Sequence, residues 1–154
     1  MRISVVREDV ITFPCDILLL KYANLNRGAD LAVSDALGKA ALSVKKGKHE
    51  FFRSGDRIRA AELLVLGVGP LTSFEYRQIE DFGKKALEIV SRDRPEARVI
   101  ALTIHGPGYG LDELAAVDSL VRGLDEGGRA FGDRDVQVVI VEKWAPAHSA
   151  CKIS

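Results

Sequence analysis

Three glycines lie within the seven residues Ile104-His105-Gly106-Pro107-Gly108-Tyr109-Gly110, between an apolar run and a segment of helical periodicity. Without a Cβ, glycine lets backbone N–H groups approach an anion closely, and a following helix adds partial positive charge at its N-terminus. A strand, a glycine loop and a helix in that order suit a phosphate. A second segment of the same kind is Asn24-Leu25-Asn26-Arg27-Gly28-Ala29-Asp30-Leu31, again between an apolar run and a helical pattern. Two such loops imply a pocket for a phosphate-bearing small molecule. Read more plainly, both are the glycine turns that any strand-to-helix connection needs. His105 borders the second loop, where an imidazole can titrate or polarise a ligand, or simply end a strand with its hydrogen bonds satisfied.

Other reactive side chains point elsewhere. His49 and His148 stand far apart with no zinc-type spacing, so no metal and no cofactor are expected. Cys15 has no base beside it in sequence and reads as a small buried hydrophobe rather than a nucleophile. Cys15 and Cys151 make no disulfide framework. The terminal Cys151-Lys152-Ile153-Ser154 matches a C-a-a-X form, but no polybasic patch precedes it, and it is read as coincidence. Asp112 and Glu113 are placed to cap and stabilise a helix N-terminus.

The elements that must position these residues alternate. Ile3–Val6 and Asp16–Tyr22 are apolar runs on either side of a turn containing Pro14, and Ile17-Leu18-Leu19-Leu20 reads as a strand buried on both faces. Leu31, Val33, Leu37 and Ala41 follow at helical spacing. Lys48–Arg53 reads as a strand turning at Ser54-Gly55-Asp56, and residues 63–70 as a buried strand ending at glycine. Thr72-Ser73-Phe74-Glu75 has the form of a capping box ahead of a helix carrying Ile79, Phe82, Ala86 and Ile89. Val99–Thr103 is a strand, Leu111–Leu124 a helix with Leu114, Val117, Val121 and Leu124 inward, and Val136–Val141 a last strand. Strands alternating with helices predict an α/β domain, its mixed or mostly parallel sheet covered on both faces. In such sheets ligands sit at the carboxyl ends of strands, where both glycine loops begin.

Composition narrows the class. The chain has 154 residues, 47% hydrophobic and 29% charged, enough for one domain with a substantial core. Lys plus Arg and Asp plus Glu each number 22, so no net field draws the chain onto nucleic acid or an anionic membrane. A small ligand or a protein partner, including a second copy of the chain, fits better. MRISVVRED becomes charged too early for a secretory signal, and no apolar run approaches the roughly 20 residues of a membrane span, so a cytoplasmic protein is expected.

Taken in order, these motifs resemble the macro domain, the ADP-ribose-binding fold, and the related N-terminal domain of leucyl aminopeptidases. The matching pieces are Glu8-Asp9-Val10-Ile11-Thr12, Lys21-Tyr22-Ala23-Asn24, Gly28-Ala29-Asp30-Leu31, Gly67-Val68-Gly69-Pro70 and Ile104–Gly110, spanning residues 1–143 and leaving 144–154 as a tail. The aminopeptidase likeness also rests on Ala36-Leu37-Gly38 and on Gly67-Val68-Gly69 ahead of a helix carrying Arg77. The peptidase domain that holds that family's catalytic and metal-binding residues has no counterpart here. The resemblance implies a three-layer α/β/α domain with a central mixed sheet, binding ADP-ribose or a related nucleotide without strong catalysis. It implies that Asp9 accepts a hydrogen bond from the adenine amino group and that Asn24 lies near the distal ribose. Gly28, Ala29, Asp30 and Leu31 would form one phosphate loop, and Gly106, Pro107, Gly108, Tyr109 and Gly110 the other, with Tyr109 along the distal ribose.

The chain departs from the pattern in four places, one of them Ala32-Val33-Ser34, where hydrolytic members commonly carry an aspartate or histidine, which speaks against hydrolysis of that type. Gly-Ala-Asp-Leu replaces a triple glycine and brings the Asp30 carboxylate near a diphosphate, Pro107 removes a backbone donor, and Lys21 takes the place of an asparagine. Two rival readings follow: a ligand-free regulatory module working through protein contacts, and an ADP-ribosyl hydrolase using Asp30, Lys21 or His105.

Overall fold

Period-two alternation runs through the central strands and divides their side chains between two faces. The computed structural model describes residues 1–22, 33, 36, 44–68, 75–104 and 112–142. In order the elements are β1 (Arg2–Arg7), β2 (Cys15–Tyr22), β3 (His49–Arg53), β4 (Ala60–Gly67), α1 (Tyr76–Asp93), β5 (Val99–Leu102), α2 (Glu113–Gly128), a 3-10 turn at Arg129–Phe131, and β6 (Gln137–Glu142). They form one six-stranded sheet in the order β1-β6-β5-β2-β4-β3, parallel throughout except for β3, which runs antiparallel to β4 at the edge. The expected mixed sheet of an α/β domain is therefore present.

Ile17, Leu19, Leu64, Leu66, Ile100, Leu102, Val138 and Ile140 face α1 and α2, while Leu18, Leu20, Leu63, Val65, Ala101, Val139 and Val141 face the other way. Most are fully buried on both faces, as a sheet covered on both sides requires. The second face is covered by Val10, Val44, Ile58 and the helical Val33. Val33 lies in the connection from β2 toward β4, which crosses the sheet in one direction. The connections through α1 and α2 cross it in the other. Right-handed crossovers in opposite directions put their helices on opposite faces, which explains the layering.

α1 begins at Glu75, not at the predicted Thr72 box. Gln78 Oε1 accepts the Glu75 N–H at 2.8 Å, a reciprocal cap three residues further on, and Thr72, Ser73 and Phe74 lie outside the described residues. In α2 the predicted inward stripe is corrected too: Leu124 is buried, Val117 and Val121 are half-buried, and Leu114 is 52% exposed. The buried face is instead Ala116, Ser119, Leu120, Gly123, Leu124 and Gly127. Small residues set this seam because the helices touch backbone to backbone: a Cβ on Gly123 would lie 2.0 Å from the Glu80 carbonyl oxygen, and one on Gly127 2.4 Å from that of Lys84. An apolar periodicity count does not register glycine as a packing residue.

At the edge, the Arg94 guanidinium beyond α1 binds Glu62 of β4 through two nitrogens at 2.7 and 2.8 Å and lies 4.0 Å from the centre of the Phe51 ring. This fork and stack tie β3 and β4 to the end of α1. No described helix is long and apolar enough to cross a membrane.

Candidate functional site

Because the five mutually parallel strands point the same way, Arg7, Tyr22, Gly67, Leu102 and Glu142 end on one rim of the sheet. β2 and β5 are neighbours there, and the chain leaves them in opposite directions, from β2 toward β4 and from β5 toward β6. Diverging connections open a crevice between adjacent strand ends, the switch point at which doubly wound sheets bind ligands. The segment that follows β2 contains Asn24, Gly28, Ala29, Asp30 and Leu31, and the segment that follows β5 contains His105, Gly106, Pro107, Gly108, Tyr109 and Gly110. These eleven candidates lie outside the described residues. Sequence order alone makes both segments start at the switch point.

The described residues show how the ends of the second segment are held. At its start, the Ile104 N–H donates to Glu142 Oε1 at the end of β6. At its finish, the Asp112 N–H donates to the Tyr76 phenol oxygen of α1 at 2.8 Å, and the Asp112 carboxylate accepts the Ala115 N–H at 2.9 Å as the N-cap of α2. Asp112 caps its helix as expected; nothing is described of the Glu113 side chain. Ile104 and Asp112, which flank residues 105–111, are thus tied to β6, α1 and α2. The first segment is held at its start, where the Tyr22 carbonyl accepts the Val68 N–H at 2.9 Å and so joins the ends of β2 and β4.

Asp9 follows β1 on the same rim. Its Oδ1 accepts the Ile11 N–H at 2.9 Å, and its carbonyl accepts the Thr12 N–H at 3.1 Å and the Thr12 hydroxyl at 3.2 Å. This is the turn that the plain reading of Asp9 anticipates. It also fixes an exposed carboxylate at the rim, a geometry an acceptor of an amino hydrogen bond requires. The adjacent Glu8 N–H donates to the Glu142 carbonyl at 3.0 Å, so Asp9 and the start of the second segment share an anchor at the end of β6.

Lys21 is only 8% exposed, in the row of β2 that carries Ile17 and Leu19. It stands one residue short of the end of β2. Glu142 and Tyr76, which accept hydrogen bonds from the residues flanking the second segment, are the partners that sequence reading missed. A charged residue ending a strand and an aromatic opening a helix carry no signal of their own, and only the fold brings them to the second segment.

Cys15 lies at the opposite end of β2 from this rim, half-buried against the second core face. Burial, with the Asp16 carboxylate beside it, pushes its thiol up to about 12, against a weaker lowering by a hydrogen bond with the Ala101 backbone. A thiol so rarely ionised is a poor nucleophile, in agreement with its reading as a small buried hydrophobe. Asp16 instead staples the sheet, its Oδ2 accepting the Arg98 and Val99 N–H groups at 2.8 and 2.9 Å. Among the described residues no group of His, Cys, Asp and Glu is placed to hold a metal ion. The boundary at residue 143 and the tail 144–154 lie outside the described residues.

No family model matches the chain, and no curated protein matches it. Solved structures do. The macrodomain of Thermus aquaticus DarG superposes with a TM-score of 0.68 at 15% identity, covering 91% of this chain and 97% of that one. The macrodomain of Mycobacterium tuberculosis DarG gives 0.63 at 18% identity, again over 91% and 97%. A Trypanosoma brucei macrodomain solved in complex with ADP-ribose gives 0.68 at 16% identity, over 90% of this chain and 63% of that one. The chain has the macrodomain fold.

Proposed function

We propose that this chain is a binding module for ADP-ribose or a related nucleotide-type ligand, cytoplasmic and without strong catalysis, seated on the carboxyl rim of its sheet. The observation that carries this reading is the topology: the two glycine segments follow β2 and β5, the neighbouring strands at the switch point. Gly106 to Gly110 cradle one phosphate with backbone N–H groups ahead of α2, and Gly28 to Leu31 line the other side. His105 and Tyr109 border the ligand, Asn24 meets the distal ribose, and Asp9 accepts from the adenine amino group. Macrodomain neighbours, one of them holding ADP-ribose, support the ligand class.

A regulatory module resembling a leucyl aminopeptidase N-terminal domain, self-associating or binding a protein, would present a broad apolar patch. Among the described residues the exposed large hydrophobic is Leu114 alone, which favours a small ligand.

Isothermal titration calorimetry with ADP-ribose, and with ADP and ATP as competitors, tests the proposal. Saturable binding with ADP-ribose preferred is expected, lost in Gly108→Glu while the domain stays folded. Asp30→Gly strengthens binding by removing a like charge from the diphosphate. No heat at millimolar ligand refutes the proposal and favours the protein-binding module. Release of ADP-ribose from a modified protein, assayed in parallel, would show a hydrolase instead.

A further inference from the structure

A pocket of about 300 Å³ opens between the β3–β4 corner and α1, on the side of β2 away from β5. Its apolar wall is Leu66, Val68, Phe82 and Ile89, and its polar wall includes Lys46, Lys48 and Lys85. The two turn lysines are held by the backbone. The Gly47 N–H donates to the Gly67 carbonyl at 3.0 Å, the Gly67 N–H to the Lys48 carbonyl at 2.9 Å, and the Lys48 N–H to the Lys45 carbonyl at 2.9 Å. Gly67 admits this approach because a Cβ there would lie 2.1 Å from the Lys45 carbonyl oxygen, and Gly47 takes φ +80° to complete the turn.

The charge in this pocket is not cancelled. Lys84, one residue from Lys85, is neutralised by Glu126 at 3.1 Å, whereas the side chains of Lys46, Lys48 and Lys85 pair with no carboxylate among the described residues. Asp81 is the one carboxylate in the lining. His49, also in the lining, has its Nε2 3.8 Å from Asp93. Gln78 offers its amide N–H groups, because its Oε1 already accepts from Glu75. An apolar wall with three cations and one anion selects a ligand with an apolar body and an anionic head.

We infer that this pocket is a second ligand site, separate from the strand-end crevice, for a small aromatic acid such as an aryl phosphate. The amides of Gly47, Lys48, Gly67 and Val68 report on it. ¹H–¹⁵N spectra of the full chain are titrated with phenyl phosphate, with inorganic phosphate and with phenol. Phenyl phosphate shifts these four amides saturably and more tightly than either half of the molecule does. Alanine at Lys46, Lys48 or Lys85 weakens binding about two- to fivefold each, as for exposed ion pairs. These three side chains are exposed, so the variants keep the wild-type melting temperature. Added salt weakens binding as well. Gly108→Glu leaves this binding intact, so the pocket and the nucleotide site succeed or fail separately. The inference is overturned by shifts confined to residues 105–110, by equal affinity for inorganic phosphate, or by undiminished binding in the triple alanine variant.

Discussion

Replacing Gly123 by alanine puts a Cβ 2.0 Å from the Glu80 carbonyl oxygen, 2.8 Å from its carbon and 2.9 Å from the Glu80 Cα. All three atoms are backbone of α1, so no side chain can swing aside, and α1 and α2 must part by roughly 1 Å. Overpacking of this kind costs about 1–3 kcal/mol, and contact with backbone puts Gly123 at the upper end. Alanine's better helix propensity returns about 1 kcal/mol. The net loss of about 2 kcal/mol lowers the melting temperature of a chain this size by about 4–8 °C. Gly128→Ala is the control: its close Cβ contacts are the Sδ and Cε of Met1, the end of a flexible side chain, with Leu87 Cδ1 at an ordinary 3.7 Å, so the propensity gain dominates and stability holds. Thermal unfolding followed by circular dichroism at matched concentrations measures both variants. A Gly123→Ala melting temperature at or above wild type would refute backbone contact as the basis of the helix seam. The same displacement moves the N-terminus of α2, where Asp112 closes the second glycine segment, so ADP-ribose affinity is expected to fall with stability.

Three further outcomes are expected. Tyr76→Phe removes the acceptor of the Asp112 N–H and lowers stability by about 0.5–1.5 kcal/mol; calorimetry should also show weaker ADP-ribose binding, and unchanged affinity would mean the second segment does not depend on that anchor. In a Cys151→Ser background, Cys15 should resist alkylation at pH 8 until the chain is unfolded. Its raised thiol makes stability fall with alkali: the contribution is complete below the ordinary value of 9.0 and is lost as the pH rises toward about 12, which denaturant melts at pH 8 and pH 10.5 would show. Arg94→Lys keeps the charge but loses the two-nitrogen fork to Glu62 and the stack on Phe51, and should lower the melting temperature by a few degrees; an unchanged value would make that contact dispensable.

The sequence by itself determined the elements and their class. Runs such as Ile17-Leu18-Leu19-Leu20, short and bounded by turn residues, read as strands buried on two faces, and helical patterns between them point to a sheet with parallel members. The fold class follows from local patterning and chirality, both of which act within a few residues. The α1 cap at Glu75 and the exposed Leu114 went unread because capping boxes recur by chance and because glycine, invisible to a hydrophobic period, sets the seam on Gly123 and Gly127. Which strands neighbour one another was decided only in the tertiary structure. The order β1-β6-β5-β2-β4-β3 brings residues 22 and 102 to one crevice and delivers Glu142 and Tyr76 to the ends of the second glycine segment. The same assembly sets Lys46 and Lys48 opposite Lys85. Pairings between residues tens of positions apart leave no periodic trace in sequence, because they arise from sheet order and helix packing, which no short stretch of chain encodes.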